Sequence, residues 1–505
     1  MSSQFGALIE IESSPQITNP AAVVRKDKQG IAASPSDLEL NELQNYWGKF
    51  SSREPSYYSS LPSSGTQTPI TPPSSDVEWS PVSTPASPRG GAAAGTADLV
   101  QTVTNPPRNR WRLLSACMMY FANAMNDSAP GALIPYMEKH YRIGYAVVSL
   151  IFVTNAIGYI LAAPWTHALE NRFGRSRTYM FSLSLMVTGY IIIVCQPPFP
   201  AIVGSFFLLG FGEAINVALN NVFCANLVNG TTILGIAHGA YGVGGTLGPF
   251  IATALVSHGV RWSYFYAITL GISILNLAFA GWAFKGYEKD LPVQLLTALQ
   301  RTASRQDASP KKNHLKKAIK NKATLLGALF IFAYQGAEVS ISGWVVSYLI
   351  SYRKGDPSRV GYVSSGFWAG ITVGRFVLSH PAHRIGERLS VVLLTAGAIA
   401  FQLLAWFVPY IIGEAVAVAV LGLLLGPVYP CATSVFTKLL PRNIQTSSLS
   451  FVSAVGSSGG AAAPFLTGIL AQHVGTVALH PICLGLYGVM VVTWSCLPRI
   501  VKPSE

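Results

Sequence analysis

Three carboxylates lie inside stretches that are otherwise strongly apolar: Asp127, Glu213 and Glu338. Each has polar company at helical spacing. Tyr120, Asn123 and Asp127 are three and four residues apart, and Asn126 adjoins the acid. Glu213, Asn216 and Asn220 recur at i, i+3 and i+7, and so do Gln335, Glu338 and Ser342. Such spacing puts each set on one helix face. A charged acid at the centre of a membrane helix costs roughly 2.5–3.5 kcal/mol on insertion scales, so it survives where it meets water or a partner. The chemistry that suits such acids is proton carriage. Burial disfavours the charged form and raises a carboxyl pKa by up to roughly 3–5 units, into the range where it exchanges protons with water on either side. The expectation is that Asp127 or Glu213 carries the proton while the other accepts hydrogen bonds from solute hydroxyls. The plainer alternative is three unrelated polar contacts between helices.

Other side chains fit the same chemistry less specifically. His238 and Tyr241 are one turn apart and form either a polar cavity edge or an ordinary helix contact. Trp344 and Trp368 either stack on a ring-shaped solute or pack. Arg375 either pairs across a gate or snorkels to the interface. Pro427 and Pro430 are expected to break or bend their helix, and the run GSSGGAAAP (456–464) allows close helix approach.

The elements that must hold these residues are membrane helices. The 505-residue chain is 50% hydrophobic and only 11% charged, against about 25% in ordinary soluble domains, and its mean hydropathy is +0.39. Twelve apolar spans are expected at about 111–137, 144–168, 178–196, 199–227, 231–257, 262–284, 323–351, 360–380, 389–410, 412–436, 446–472 and 477–498. An all-α membrane protein follows. The loops after the even-numbered spans hold seventeen Lys and Arg, and those after the odd-numbered spans hold six. The bias puts both termini in the cytoplasm. The net charge of +13 is explained by these loops and does not argue for nucleic acid. The sequon Asn229-Gly230-Thr231 falls on that same side and should stay unmodified.

Residues 1–107 are rich in Ser, Pro, Thr and Ala and read as a disordered cytoplasmic tail. Within it, Ser36-Asp37-Leu38-Glu39 resembles a helix-capping box. Ser-Pro and Thr-Pro pairs there, among them those at Ser34, Thr68, Thr71, Ser80, Thr84 and Ser87, arise from composition as readily as from a phosphorylation function. The basic central loop, 286–322, contains KKNHLKKAIKNK, either an amphipathic surface helix or a plain topology signal. A short tail, 500–505, closes the chain. The six cysteines show no metal-ligand or CxxC spacing and read as packing residues. The N-terminus lacks a basic region followed by an apolar core, so no cleavable signal is expected. No metal site, cofactor, catalytic nucleophile or nucleotide loop is expected, and hence no enzyme.

The chain also repeats itself. Arg172 and Gly174 are echoed by Arg384 and Gly386, Gly244-Gly245 with Pro249 by Gly459-Gly460 with Pro464, and Asp127 by Glu338, at offsets of 212, 215 and 211 residues. Two parallel six-helix halves, 108–285 and 323–499, are therefore expected, with a site at their interface.

The loop HALENRFGRSR (167–177) resembles the signature between the second and third helices of the major facilitator superfamily. Arg172, Gly174 and Arg175 match it. His167 replaces the usual Gly, and Asn171 the usual Asp, with Glu170 a candidate substitute. The second copy, SHPAHRIGER (379–388), keeps Arg384 and Gly386 and has His383 at the Asp position. The resemblance implies a cytoplasmic gate built from Glu170, Arg172, Gly174, Arg175, Arg384 and Gly386, and a cavity lined by the first, fourth, seventh and tenth helices. Asn126-Asp127 with Gly131 and Pro135, GFGEAINVALNN, AHGAYGVGGTLGPF, YQGAEVSISGW and GPVYP are more closely similar to the fucose-permease-like branch, particularly its fungal, bypass-of-stop-codon-type members. There, acids at the positions of Asp127 and Glu213 carry coupling and sugar recognition. What is implied is a monomeric secondary transporter in a lipid bilayer, plasma-membrane or vacuolar, moving a small polar molecule of sugar-like type with protons. A proton-driven exporter of metabolites or xenobiotics is the first alternative, and a non-transporting nutrient receptor signalling through the tail is the second.

Overall fold

In a computed structural model of the chain, residues 101–290, 317–441 and 444–498 are described. The tail readings (capping box, Ser-Pro and Thr-Pro pairs) and most of the basic central loop lie outside them. Among the described residues the fold is entirely helical. The long helices are α1 (Asn109–Tyr141), α2 (Leu150–Phe173), α3 (Arg175–Val194), α4 (Phe199–Ala225), α5 (Gly230–Ser257) and α6 (Tyr264–Ala283). After the central loop come α7 (Lys322–Ser351), α8 (Tyr362–Val377), α9 (Glu387–Phe407), α10 in two pieces (Ile411–Leu425 and Val428–Leu439), α11 (Gln445–Val474) and α12 (Leu479–Ser495).

Ten of the described helical segments are long and apolar enough to cross a membrane. Two expected spans fall outside that set for local reasons. The middle of α1 is diluted by Asn123, Asn126 and Asp127. The regular run of α8 is 16 residues, although after Leu378 the chain continues in a further helical piece, Ser379–Ile385. The expected break in the tenth span occurs at Gly426-Pro427, where the proline has no N–H to continue the ladder. Asn321 starts α7 by accepting a hydrogen bond from the Thr324 N–H at 3.2 Å.

Packing follows one scheme twice. Within the first six helices α1 packs on α5, α2 on α4, α3 on α4 and α6 on both α1 and α3. Within the second six, α7 packs on α11, α8 on α10, α9 on α10 and α12 on both α7 and α9. The two sets meet through α1–α7, α5–α8 and α2–α11. Outward faces carry large apolar side chains, such as Leu275 at 62%, Phe376 at 63% and Ile412 at 80% exposed. Water does not stabilise such a surface and lipid does. Polar side chains such as Asn216, Asn220 and Glu213 are turned inward at 0% exposure.

Small residues set how closely the two sets approach. At the end carrying the α1–α2 and α7–α8 connections, Tyr136 donates a hydrogen bond to the Pro357 carbonyl at 3.2 Å. There a Cβ on Gly144 would lie 2.0 Å from the Gln472 Oε1, and one on Gly361 would lie 2.2 Å from the Thr253 Oγ1. Nearer the middle, a Cβ on Gly131 of α1 would lie 1.8 Å from the backbone oxygen of Ser342 on α7.

Candidate functional site

Between the two sets lies a small cavity of about 40 Å³. Asn126, Asp127 and Pro130 of α1 form one wall, and Asn155 and Phe152 of α2 the next. Phe206 of α4, Val339 and Ser342 of α7 and Trp368 of α8 complete it. The Asp127 Oδ2 accepts a hydrogen bond of 2.7 Å from the Tyr241 hydroxyl of α5. Asn126 Oδ1, Asn155 Oδ1 and Trp368 Nε1 are buried polar atoms without a protein hydrogen-bond partner. Buried polar groups are normally satisfied.

Asp127, Asn126 and Trp368 from the sequence reading line this cavity, with Tyr241 immediately behind. Asn155, Phe152 and Phe206 were not anticipated. A lone Asn in FVTNAIG was the available signal for the first, and the two phenylalanines carry none.

The α4 stripe requires a correction. Its spacing suggested a face on water, but Glu213, Asn216 and Asn220 have no accessible surface and Asn123 has 1%. These residues serve contacts inside the first set. Asn123 Nδ2 donates to Asn216 Oδ1 at 2.8 Å, and Asn216 Nδ2 reaches the Met186 Sδ at 3.3 Å. The Tyr179 hydroxyl donates to Asn220 Oδ1 at 2.8 Å, and the Tyr120 hydroxyl donates to Asn221 Oδ1. Helical spacing identifies a face but not its neighbour, and here the neighbours are α1 and α3.

His238 packs its ring 5.1 Å from that of Tyr120, with Nδ1 2.9 Å from the Leu234 carbonyl, so it belongs to the α1–α5 contact. Gln335 is 2% exposed on the α7–α11 contact, where a Cβ on Gly456 would lie 3.3 Å from its Oε1. Trp344 does not present its ring to the cavity as a stacking platform. Its Nε1 donates to the Pro464 carbonyl of α11 at 2.8 Å, and the residue is 1% exposed. Replacing Trp344 with Phe should therefore lower thermal stability by about 0.5–1.5 kcal/mol, the usual worth of one hydrogen bond. Solute affinity should stay within twofold, as read by melting in detergent beside ligand titration.

Glu338 and Arg375 correct the sequence reading together. Arg375 does not snorkel outward. Its Nη2 lies 3.5 Å from the Glu338 Oε1, with the two side chains 23% and 7% exposed. The Tyr334 hydroxyl, which donates to the Leu425 carbonyl at 3.2 Å, neighbours both charges. Glu338 is thus charge-compensated rather than open to the cavity.

At the base of the first set, Arg175 pairs with Glu170 at 2.7 Å while its backbone N–H donates to Glu288 Oε1 at 2.6 Å. Gly174 adopts φ +77°, and a Cβ there would press to 2.9 Å from Glu288 Oε1. The Tyr287 ring lies between the guanidinium groups of Arg175 and Arg112, at 4.6 and 4.9 Å. Arg112 in turn meets Asp290 at 2.5 Å. Tyr287, Glu288 and Asp290 follow α6 and were invisible as partners in the sequence. Arg172 lies over Phe173 at 5.6 Å, outside this cluster. In the second copy Arg384 is exposed, Gly386 has φ +108°, and Glu387 makes the contacts, with Lys438 at 2.9 Å and His383 at 2.8 Å.

A bundle of apolar helices around an internal, mostly apolar cavity lined from both sets fits a multi-pass membrane transporter. The sequence pattern of the Major Facilitator Superfamily matches residues 116–464 and 345–505, and the chain belongs to that family. It is a transporter of small molecules and not an enzyme. The Bypass of stop codon protein 6 of Saccharomyces cerevisiae is 27% identical over 428 residues, covering 79% of this chain and 84% of that one. This agrees with the branch the motifs indicated. The Glucose/galactose transporter of Brucella abortus is 22% identical, covering 75% and 92%. In three dimensions the chain is similar to the nucleoside transporter NupG, at TM-score 0.60, 13% identity and coverage of 76% and 98%. It is equally similar to a D-xylose-proton symporter, at TM-score 0.60, 12% identity and coverage of 77% and 98%.

Proposed function

We propose that the chain is a proton-coupled symporter for a small polar, sugar-like solute, working as a monomer by alternating access. In this reading the twelve spans form two six-helix halves, 108–285 and 323–499, joined by the loop 286–322. Both termini are cytoplasmic, and the plasma membrane is the site of action. Asp127 carries the proton. Asn126, Asn155 and Ser342 bond solute hydroxyls while Trp368 offers a ring face. The Arg175–Glu170 pair with Gly174 acts as the cytoplasmic gate.

The observation that carries the reading is one carboxylate, Asp127, on the wall of a cavity formed by both sets of helices and hydrogen-bonded by Tyr241. An acid within a membrane span at such a place is the default mark of a proton or solute path. The names of the Brucella relative and of the xylose symporter point to the same solute class.

The test is uptake of labelled D-glucose, D-galactose and D-xylose into proteoliposomes holding the full chain, with the interior alkaline. Accumulation of one sugar that a protonophore collapses is the expected result. Expulsion of preloaded ethidium under the same gradient, with no sugar accumulated, would replace this reading with the export alternative.

A further inference from the structure

The start of α1 and the end of α6 meet in an outward-facing cluster that the transport reading does not use. Trp111 of α1 and Trp282 of α6 are 40% and 48% exposed, their rings edge to face with centroids 6.1 Å apart. Phe279, one turn back on α6, stacks on Trp282 at 5.9 Å. Guanidinium groups lie over both indoles, Arg108 at 5.7 Å from Trp282 and Arg110 at 5.5 Å from Trp111. Arg108 also donates to the Lys285 carbonyl at 2.9 Å, which ties the two helix ends together. Arg108, Arg110 and Lys285 are all exposed. The neighbouring acids are already engaged, Asp290 by Arg112 at 2.5 Å and Glu288 by the Arg175 N–H at 2.6 Å.

From this cluster one face of α6 continues into the apolar belt as a strip of exposed residues. Trp282, Ala278, Leu275 and Gly271 are spaced by four, three and four residues. Among the described residues nothing lies within 4 Å of where a Cβ on Gly271 would stand. The rise from Trp282 to Gly271 is about 16 Å, close to half of a hydrocarbon core roughly 30 Å thick.

We propose that this seam binds one anionic phospholipid, in the leaflet next to the start of α1. Arg108, Arg110 and Lys285 hold its phosphate and headgroup, and one acyl chain lies along α6 from Trp282 to Gly271.

The physical basis is a match of charge at one level and of shape at the next. Indole rings prefer the boundary between acyl chains and headgroups. A guanidinium resting on a ring face keeps its N–H edge available, and that edge fits phosphate oxygens two at a time. A zwitterionic lipid would bring its own cation beside three positive side chains, whereas an anionic lipid would not. The second set of helices shows that the arrangement is more than a charge bias of one membrane side. At the repeat offset of 212, Trp282 corresponds to Trp494, Trp111 to Ala323 and Lys285 to Leu497, while Arg108 and Arg110 correspond to Lys320 and Lys322. Trp494 is turned inward at 3% exposure, its Nε1 donating to the Arg388 carbonyl at 3.1 Å and its ring 4.9 Å from that of Phe330. The second copy thus keeps two cations but has no aromatic seam for them to border.

The test is native mass spectrometry of the purified full chain in detergent, titrated with phosphatidylserine and with phosphatidylcholine carrying the same acyl chains. The first phosphatidylserine should bind roughly tenfold more tightly than the first phosphatidylcholine. Arg108→Gln with Arg110→Gln should cut that preference by about fivefold or more, since each Lys or Arg near an anionic surface is worth a factor of about five. Lys285→Gln, which leaves its backbone carbonyl to Arg108, should lower the preference in the same direction. Trp282→Leu should weaken both lipids alike. Lys320→Gln with Lys322→Gln removes the same charge at the repeat-related positions and should leave the preference within about twofold, because a distant exposed charge is screened. Melting of each variant checks that it is folded. Equal losses from the two double variants would mean a diffuse attraction to basic residues and overturn the site. A wild-type chain with no preference for phosphatidylserine would overturn it as well, and either result leaves the transport reading untouched.

Discussion

Asp127→Asn is expected to abolish concentrative uptake while leaving the fold and solute exchange in place. The substitution is nearly isosteric, and the amide oxygen still accepts the Tyr241 hydroxyl that now donates at 2.7 Å. What is lost is the ability to exist in two protonation states. A pH difference of one unit is worth about 1.4 kcal/mol per proton, so coupling one proton supports roughly tenfold accumulation. Without a titrating group that drive vanishes and the inside-to-outside ratio should fall to one. Counterflow, in which labelled solute enters in exchange for unlabelled, needs only binding and rocking and should continue. The pair of assays therefore separates lost coupling from lost folding. Glu213→Gln is the necessary companion, because Glu213 is the other acid within the spans of the first set yet has no accessible surface. If Asp127→Asn accumulates sugar tenfold while Glu213→Gln does not, the proton sits on Glu213 and the cavity acid serves the solute.

The contrast between those two acids shows what could be read from the chain alone. Both announce themselves, since a carboxylate amid apolar residues is conspicuous and its i, i+3, i+7 partners define a face. The face of α1 that carries Asp127 meets the cavity at Asn126 and Asp127, whereas the face of α4 meets the amide and hydroxyl groups of its neighbours. Nothing in the local spacing distinguishes these outcomes, because both satisfy polar groups in lipid. Arg375 was left between pairing and snorkelling for a related reason. A single cation toward the end of a span usually reaches for the interface, but helical structure resumes after Leu378, which sets Arg375 well inside, beside Glu338. Phe152 and Phe206 are two rings among 24 phenylalanines, and only tertiary placement singles them out. The helices themselves were the legible part. The expected span 323–351 is observed as Lys322–Ser351, because apolarity over about 20 residues and a capping Asn321 fix a helix with little help from its surroundings. Asp290 and Glu288 lie at the opposite extreme, loop residues whose partners Arg112 and Arg175 are more than a hundred positions away.

Gly131→Ala is expected to hold open the end of the molecule that carries the α1–α2 and α7–α8 connections. An added Cβ would sit 1.8 Å from the Ser342 carbonyl oxygen, against roughly 3.3 Å for a comfortable C···O approach. The obstacle is backbone, so no rotamer change relieves it and α1 must part from α7 by more than 1 Å. Overpacking of this kind costs about 1–3 kcal/mol. The penalty falls only on the state in which the two helices touch, so the balance between conformations shifts by a factor of about 5–150. Transport should slow by a similar factor, with the chain still folded and delivered to the membrane. A cysteine placed at Asn126, on the cavity wall beside this contact, reports the shift. Its labelling by a membrane-impermeant maleimide from outside intact cells should rise in Gly131→Ala and stay low with Gly131 retained. Gly343→Ala supplies the internal control. Its Cβ would meet the Phe152 ring at 2.8 Å, and a side chain can turn aside where a carbonyl cannot. A milder slowing and little gain in labelling should result. Equal effects from both substitutions would mean that the α1–α7 contact is ordinary packing, and that closure at this end rests on the Gly144–Gln472 and Gly361–Thr253 approaches instead.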